Sequence, residues 1–329
     1  MTRAILFAPG RGSYTEKSLG SLPADHPWVL TAEELRASYG LDSLVELDGA
    51  SRFSPAKHLK PRNVSALIYL RSMLDGARAL SEYEVVAIGG NSMGWYTALA
   101  MAGALSFEDG FRLVQEMALI QEEVGGGGQA IYPVVDETWN TSPKHVEAVH
   151  TLIERDPEIF PSIHLGGYEV LGASPAAMSR VLEGLPKVTL GKTTYPFRLA
   201  LHGPYHTPLV RAARERAETQ LASLDFRRPA VTLVDGKGRR FTPWSADEAE
   251  LAAYTLGDQV DTPYDFTASV RVALLEYAPD RIVLAGPGNS LGGVVAQILI
   301  ANSWRGLGSR EDFSRLQESE HPILESMDR

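Results

Sequence analysis

Apolar and polar positions fall into two alternating patterns along the chain. Short, largely apolar runs at residues 4–8, 85–88, 230–234 and 281–285 predict buried strands. Between them the spacing becomes helical. Residues 63–83 carry Val64, Leu67, Ile68, Leu74 and Ala77 at near-helical intervals, and residues 107–123 place Phe111, Val114, Ala118 and Ile120 on or near one face. Ser106 stands where a helix N-cap belongs, with Asp109 three residues on as its capping partner. Residues 28–39, 41–47, 209–224, 245–256, 267–277 and 294–304 read as further helical pieces. Buried strands alternating with helices predict an α/β fold built on a parallel sheet.

Four consecutive glycines, Gly125 to Gly128, interrupt this grammar and predict a flexible joint. Beyond them strand, helix, strand, helix and strand follow within about seventy residues, which fits a small inserted α/β unit with an open sheet. The resulting division is a main domain over 1–126, an inserted subdomain over 127–198, the resumed main domain over 199–307, and a polar tail over 308–329 that is expected to fray.

Charge and composition narrow the chemistry. The 329 residues include 31 basic and 41 acidic side chains, a net charge of −10 that argues against a broad nucleic-acid surface. No apolar run approaches a membrane span, and the opening residues form a short strand entering a turn rather than a secretion signal, so a cytoplasmic location away from membranes is expected. The chain has no cysteine. Disulfides, thiolate metal sites and cysteine nucleophiles are thereby excluded, and covalent acyl chemistry falls to serine or threonine.

Serine chemistry has an obvious candidate. Gly90-Asn91-Ser92-Met93-Gly94 follows the apolar run at 85–88 and precedes a stretch of small and apolar residues. This is the Gly-x-Ser-x-Gly arrangement of a nucleophile elbow, in which a strained strand-to-helix turn presents the hydroxyl at the mouth of the sheet. The plainer reading is a serine that caps a helix. Of the eight histidines, His206 and His202 lie in a Gly/Pro-rich loop leaving the main domain; His206, just before a helix, is the better base and His202 the second. The group orienting the imidazole is either a carboxylate such as Asp265 or a carbonyl of the loop 286–293. His202 and His206 also have the spacing of a helical metal pair, but Gly203-Pro204 between them opposes the helix, so no metal is expected. Arg11, between Gly10 and Gly12, sits either in a simple turn or in a loop whose amides point inward toward a negative charge.

These residues resemble the malonyl-CoA:acyl carrier protein transacylases and the acyltransferase domains of polyketide synthases, over about residues 3–305. The opening Phe7-Ala8-Pro9-Gly10-Arg11-Gly12-Ser13 is similar to the family's Phe-Pro-Gly-Gln-Gly-Ser, and Gly90 to Gly94 to its Gly-His-Ser-Leu-Gly. The run Ala102 to Asp109 resembles the segment after the elbow, Gly203-Pro204-Tyr205-His206 the histidine loop, and Gly286-Pro287-Gly288 a late turn. The resemblance implies an α/β-hydrolase-like main domain with a ferredoxin-like insert. It implies Ser92 as acylated nucleophile, His206 as general base, and an oxyanion hole from the amides of Arg11 and Met93. Asn91, Met117, Tyr205, Asp265 and Asn289 are the implied pocket residues. Ping-pong transfer between coenzyme A and acyl carrier protein thioesters follows, the thioesters being substrates and no cofactor being held permanently.

Three departures from the family shape the expected substrate. Met117 stands where malonyl-selective members carry an arginine, so a free carboxylate would face a thioether; an uncharged acyl group is expected. Arg11 replaces a glutamine, and Asp265 aligns with another glutamine near the site, which predicts a compensating Arg11–Asp265 salt bridge. An Arg11 reaching into an open pocket would point instead to an acidic substrate group. Asn91 replaces the histidine beside the serine. The rival functions are hydrolysis of the same acyl-enzyme, as in an editing thioesterase, and a non-catalytic partner-binding protein.

Overall fold

Why the apolar runs pair as they do is plain from a computed structural model that describes residues 1–327. The strands are β1 (Arg3–Ala8), β2 (Glu84–Gly90), β3 (Gly128–Pro133), β4 (Ile159–Leu165), β5 (Tyr168–Ala173), β6 (Val188–Leu190), β7 (Thr193–Tyr195), β8 (Phe197–Arg198), β9 (Thr232–Val234), β10 (Arg240–Phe241), β11 (Tyr264–Asp265), β12 (Arg281–Leu284) and β13 (Leu324–Ser326). The main sheet has the order β10-β9-β2-β1-β12-β13. All neighbours in it are parallel except β10 and β9. β1 lies at its centre with residues 4–8 buried, because helices cover both faces and leave no polar side to the strand.

The second sheet, β11-β4-β5-β3-β8, belongs to the ferredoxin-like lobe. The neighbouring pairs β4–β5, β5–β3 and β3–β8 are antiparallel, and helices Pro143–Arg155 and Met178–Gly184 pack a separate core against them. β6 and β7 pair as a hairpin outside it. β11, from the main part of the chain, joins this sheet's edge through Tyr264↔Ile163 and Asp265↔His164.

In the glycine run Gly125 to Gly127 have positive φ, and a Cβ on Gly127 would lie 2.2 Å from the Ala173 carbonyl oxygen. One sequence expectation changes. As far as the described residues run, the tail is folded rather than frayed. Arg310–Gln317 is a helix, and β13 extends the main sheet beside β12, with Ile323 and Met327 buried around it. A short strand within polar sequence carries no periodic signal, whereas an open sheet edge with apolar neighbours accepts it. Among the described residues no helix is long and apolar enough to cross a membrane.

Candidate active site

The turn after β2 is held by sterics. Ser92 has φ 55°, a left-handed conformation that a serine adopts only under constraint. Its glycine neighbours permit the turn: a Cβ on Gly90 would lie 2.2 Å from the Gly94 main chain, and one on Gly94 2.2 Å from the Ala8 carbonyl oxygen. Helix Gly94–Met101 therefore starts directly against β1 and β2, and Ser92 stands above the carboxyl ends of the central strands.

His206 arrives from the loop before helix Arg211–Gln220. Its Nε2 lies 2.6 Å from Ser92 Oγ. Its Nδ1 lies 2.7 Å from the Gln259 carbonyl oxygen. A carbonyl can only accept, so Nδ1 carries the proton and Nε2 is left to accept from the serine hydroxyl. His206 also has a positive φ, 58°, and its amide donates to the Val260 carbonyl oxygen. Tyr264 packs against the ring in a tilted arrangement with centroids 5.4 Å apart and donates to the Gly90 carbonyl oxygen, tying base and elbow together. Burial, opposed by the Gln259 bond and reinforced by the Arg11 charge, pushes His206 down to about 4.

The orienting acceptor is thus neither Asp265 nor the loop 286–293. Gln259 supplies it from the turn Gln259–Asp261, which follows a π-helical segment Tyr254–Asp258. Its side chain is engaged as well, donating from Nε2 to the Ser92 carbonyl oxygen and accepting from Tyr96 Oη. Asp265 instead caps helix Phe266–Tyr277 by accepting from the Ala268 amide. Asn289 is exposed and its side chain lies against Gly292 at the start of helix Gly292–Ala301. Neither lines the two cavities that meet at Ser92.

Those cavities differ in kind. The inner chamber leaves about 20 Å³, room for roughly one water. Met117, Tyr96, Val114 and Ala118 wall it. The outer cavity, about 530 Å³, lies between the lobes under largely apolar walls. Ser92, Arg11 and Tyr205 border both. The Arg11 guanidinium stacks 4.1 Å above the Tyr205 ring, and Nη2 donates to Gln121 Oε1 at 2.9 Å. The predicted Arg11–Asp265 salt bridge does not form, because Asp265 is occupied at its helix cap and Gln121, one turn beyond Met117, is nearer to hand. Arg11 Nη1 is buried without a partner. Among the described residues the amide N–H groups of Arg11 and Met93 have no acceptor. His202 does not touch Ser92; its Nδ1 meets Gln129 Oε1 at 2.9 Å.

No family model matches the chain. Sequence relatives do. The polyketide biosynthesis protein ThaF of Burkholderia thailandensis is 26% identical over 307 residues, covering 90% of this chain and 24% of that protein. The malonyl CoA-acyl carrier protein transacylase of Haemophilus influenzae is 24% identical over 311 residues, covering 91% of this chain and 93% of the relative. Over nearly its whole length the chain is thus similar to malonyl-CoA:acyl carrier protein transacylases, at low identity. The shared fold extends over the solved acyl-carrier-protein S-malonyltransferase of Burkholderia pseudomallei, with TM-score 0.75 and 19% identity over 100% of this chain and 97% of that one. The site of this chain pairs a serine with a histidine, and the glutamine that faces the pair is Gln259, not a residue at position 265.

Gln259, Tyr264 and Gln121 are the site neighbours that sequence reasoning missed. Gln259 acts through its main chain, which no residue type advertises. A buried glutamine between Leu256 and Val260 was the available signal.

Proposed function

We propose that the protein is an acyltransferase that moves a small acyl group between coenzyme A and acyl carrier protein thioesters through an acyl-Ser92 intermediate. The observation that carries this reading is the hydrogen-bonded chain from Ser92 Oγ through His206 to the Gln259 carbonyl. As Ser92 Oγ attacks the thioester carbonyl, His206 Nε2 takes its proton, and the oxygen becomes an oxyanion facing the free amides of Arg11 and Met93. Collapse breaks the carbon–sulfur bond, and His206 returns the proton to the leaving thiol. A second thiol repeats the steps in reverse. Each oxyanion donor contributes ~3 kcal/mol in sites of this kind. The name of the Haemophilus relative supports coenzyme A and acyl carrier protein as the partners.

The size of the inner chamber and the thioether of Met117 support a short acyl group without a free carboxylate. A second reading rests on Arg11. Arg11 borders the same chamber, and among the described residues its guanidinium has an unpaired Nη1 and no carboxylate partner, which favours an acyl group ending in one. Acetyl- and malonyl-CoA, offered separately and followed by intact mass, separate the two. Acetyl loading at the higher rate supports the first reading and malonyl loading the second. An adduct discharged only by an acceptor carrier supports transfer, steady release of free acid supports hydrolysis, and no Ser92-dependent adduct overturns both.

A further inference from the structure

The outer cavity contains polar groups that the acyl-transfer step does not use. Gln129, on β3, donates from Nε2 to Ser162 Oγ at 2.7 Å and to the Tyr205 carbonyl oxygen at 3.3 Å. Ser162 Oγ donates to the same Tyr205 carbonyl. These bonds fix the Gln129 amide with Oε1 as its accepting end, and Oε1 faces His202 Nδ1. His202 Nδ1 must therefore carry the ring proton, which leaves Nε2 with a bare lone pair. Among the described residues Nε2 has no donor, and the ring borders the 530 Å³ cavity together with Ser92. Burial, with the charges of Arg11 and His206, pushes His202 down to about 3, so the ring stays neutral and accepting.

A second unpartnered group points the same way. Asn91 is 8% exposed, its Oδ1 is buried without a hydrogen-bond partner, and it borders the same cavity. The surrounding walls, among them Ile131, Ile163, Val170 and Leu291, are apolar. An accepting ring nitrogen beside such walls, with a further unpaired acceptor just beneath the surface, favours a ligand that brings N–H donors on an otherwise apolar chain. The arm of a pantetheine thioester has that composition: two amide N–H groups separated by methylenes, ending in the sulfur that must reach Ser92.

We propose that His202 is a substrate-binding residue whose Nε2 accepts a hydrogen bond from an amide N–H of the pantetheine arm, with Asn91 as the second polar contact in the cavity. This rests on the thioester reading above, because it takes the arm to be the cavity's occupant. The loop 202–206 then carries both the base and a grip on the substrate. One network through Gln129 and Ser162 ties that grip to the smaller lobe.

His202→Asn is the informative substitution. The asparagine amide can still donate to Gln129 Oε1 from near the position of Nδ1, while the Nε2 acceptor is deleted. Pantetheine itself is titrated calorimetrically into Ser92→Ala protein and into the Ser92→Ala/His202→Asn double variant, so that binding is read without chemistry. The expected result is about tenfold weaker binding in the double variant, the loss of roughly one hydrogen bond. Equal affinity, or no binding to either protein, overturns the proposal. With Ser92 intact, His202→Asn raises KM for acetyl-pantetheine about tenfold, at least five times more than for S-ethyl thioacetate, which has no amides. Equal loss on both donors assigns His202 a purely structural role and overturns the proposal. In nitrogen-15 spectra the His202 Nε2 resonance is that of an unprotonated nitrogen and moves when pantetheine is added; a protonated Nε2 overturns it as well. Absence of any acyl adduct on the wild-type protein refutes the transferase reading and leaves the binding measurements to decide on His202.

Discussion

His206 Nδ1 and the main-chain oxygen of Gln259 lie 2.7 Å apart, and this contact sets which imidazole nitrogen faces Ser92. Because the acceptor is main chain, no side-chain substitution at 259 deletes it. Gln259→Ala is expected to lower acylation modestly, by roughly tenfold, through the lost bonds to Tyr96 and the Ser92 carbonyl. Ser92→Ala abolishes the adduct, and His206→Ala lowers its rate by roughly 10⁴- to 10⁶-fold. Stopped acylation reactions read by intact mass check all three.

The pH dependence follows from His206 being held down to about 4. Acylation is expected to be flat above about pH 5 and to fall by half near pH 4, well below the usual histidine range. Arg11 contributes to the depression, so Arg11→Gln moves the acid limb upward. Stability follows the same group. Between about pH 6.5 and 4 the unfolded chain binds a proton at His206 that the folded chain refuses. Stability is therefore lost as pH falls through this window, by roughly 3 kcal/mol from this group, and is unaffected by it above pH 7. Denaturant midpoints at pH 7 and pH 5, for the wild type and His206→Ala, measure the difference.

Arg11 and Met117 set the charge of the inner chamber between them. Replacing Arg11 by Gln removes the unpaired guanidinium nitrogen, and the ratio of malonyl to acetyl loading is expected to fall about tenfold or more. Met117→Arg is expected to raise that ratio. Competition between the two acyl-CoAs, read as the mass of the Ser92 adduct, gives both values directly. An unchanged ratio in both variants would show that neither side chain senses the acyl terminus.

The elbow leaves no space for a methyl group on either side of Ser92. Gly94→Ala places Cβ against the β1 carbonyl, and Gly90→Ala places it against the following turn. Each is expected to destabilise by roughly 3 kcal/mol or more. Gly293→Ala, where the same methyl group meets nothing within 4 Å, is the matched control. Thermal unfolding of the three variants checks the contrast.

The parallel core was legible because β1, β2 and β12 are buried on both faces and so read as unbroken apolar runs. Helix Phe107–Val124 was legible to within a residue, with Ser106 accepting from the Asp109 amide as its cap. β13 was not. It is three residues long, and its burial comes from the sheet edge it meets rather than from any pattern of its own. Around Ser92, the contacts that escaped notice join residues far apart in sequence through groups without a residue-type signature. The Gln259 carbonyl is one such group, and the neutral Gln121 side chain that receives Arg11 across 110 residues is another. An aspartate beside a motif suggested an ion pair, and helix capping took that aspartate first.

Strand β11 has a mechanical effect on the cleft. Tyr264 and Asp265 are hydrogen-bonded into the smaller lobe's sheet, while Tyr264 Oη is bonded to Gly90 beside the nucleophile. Swinging the lobes apart would tear that strand from its sheet. Any hinge opening of the cleft would therefore have to break contacts directly beside the nucleophile.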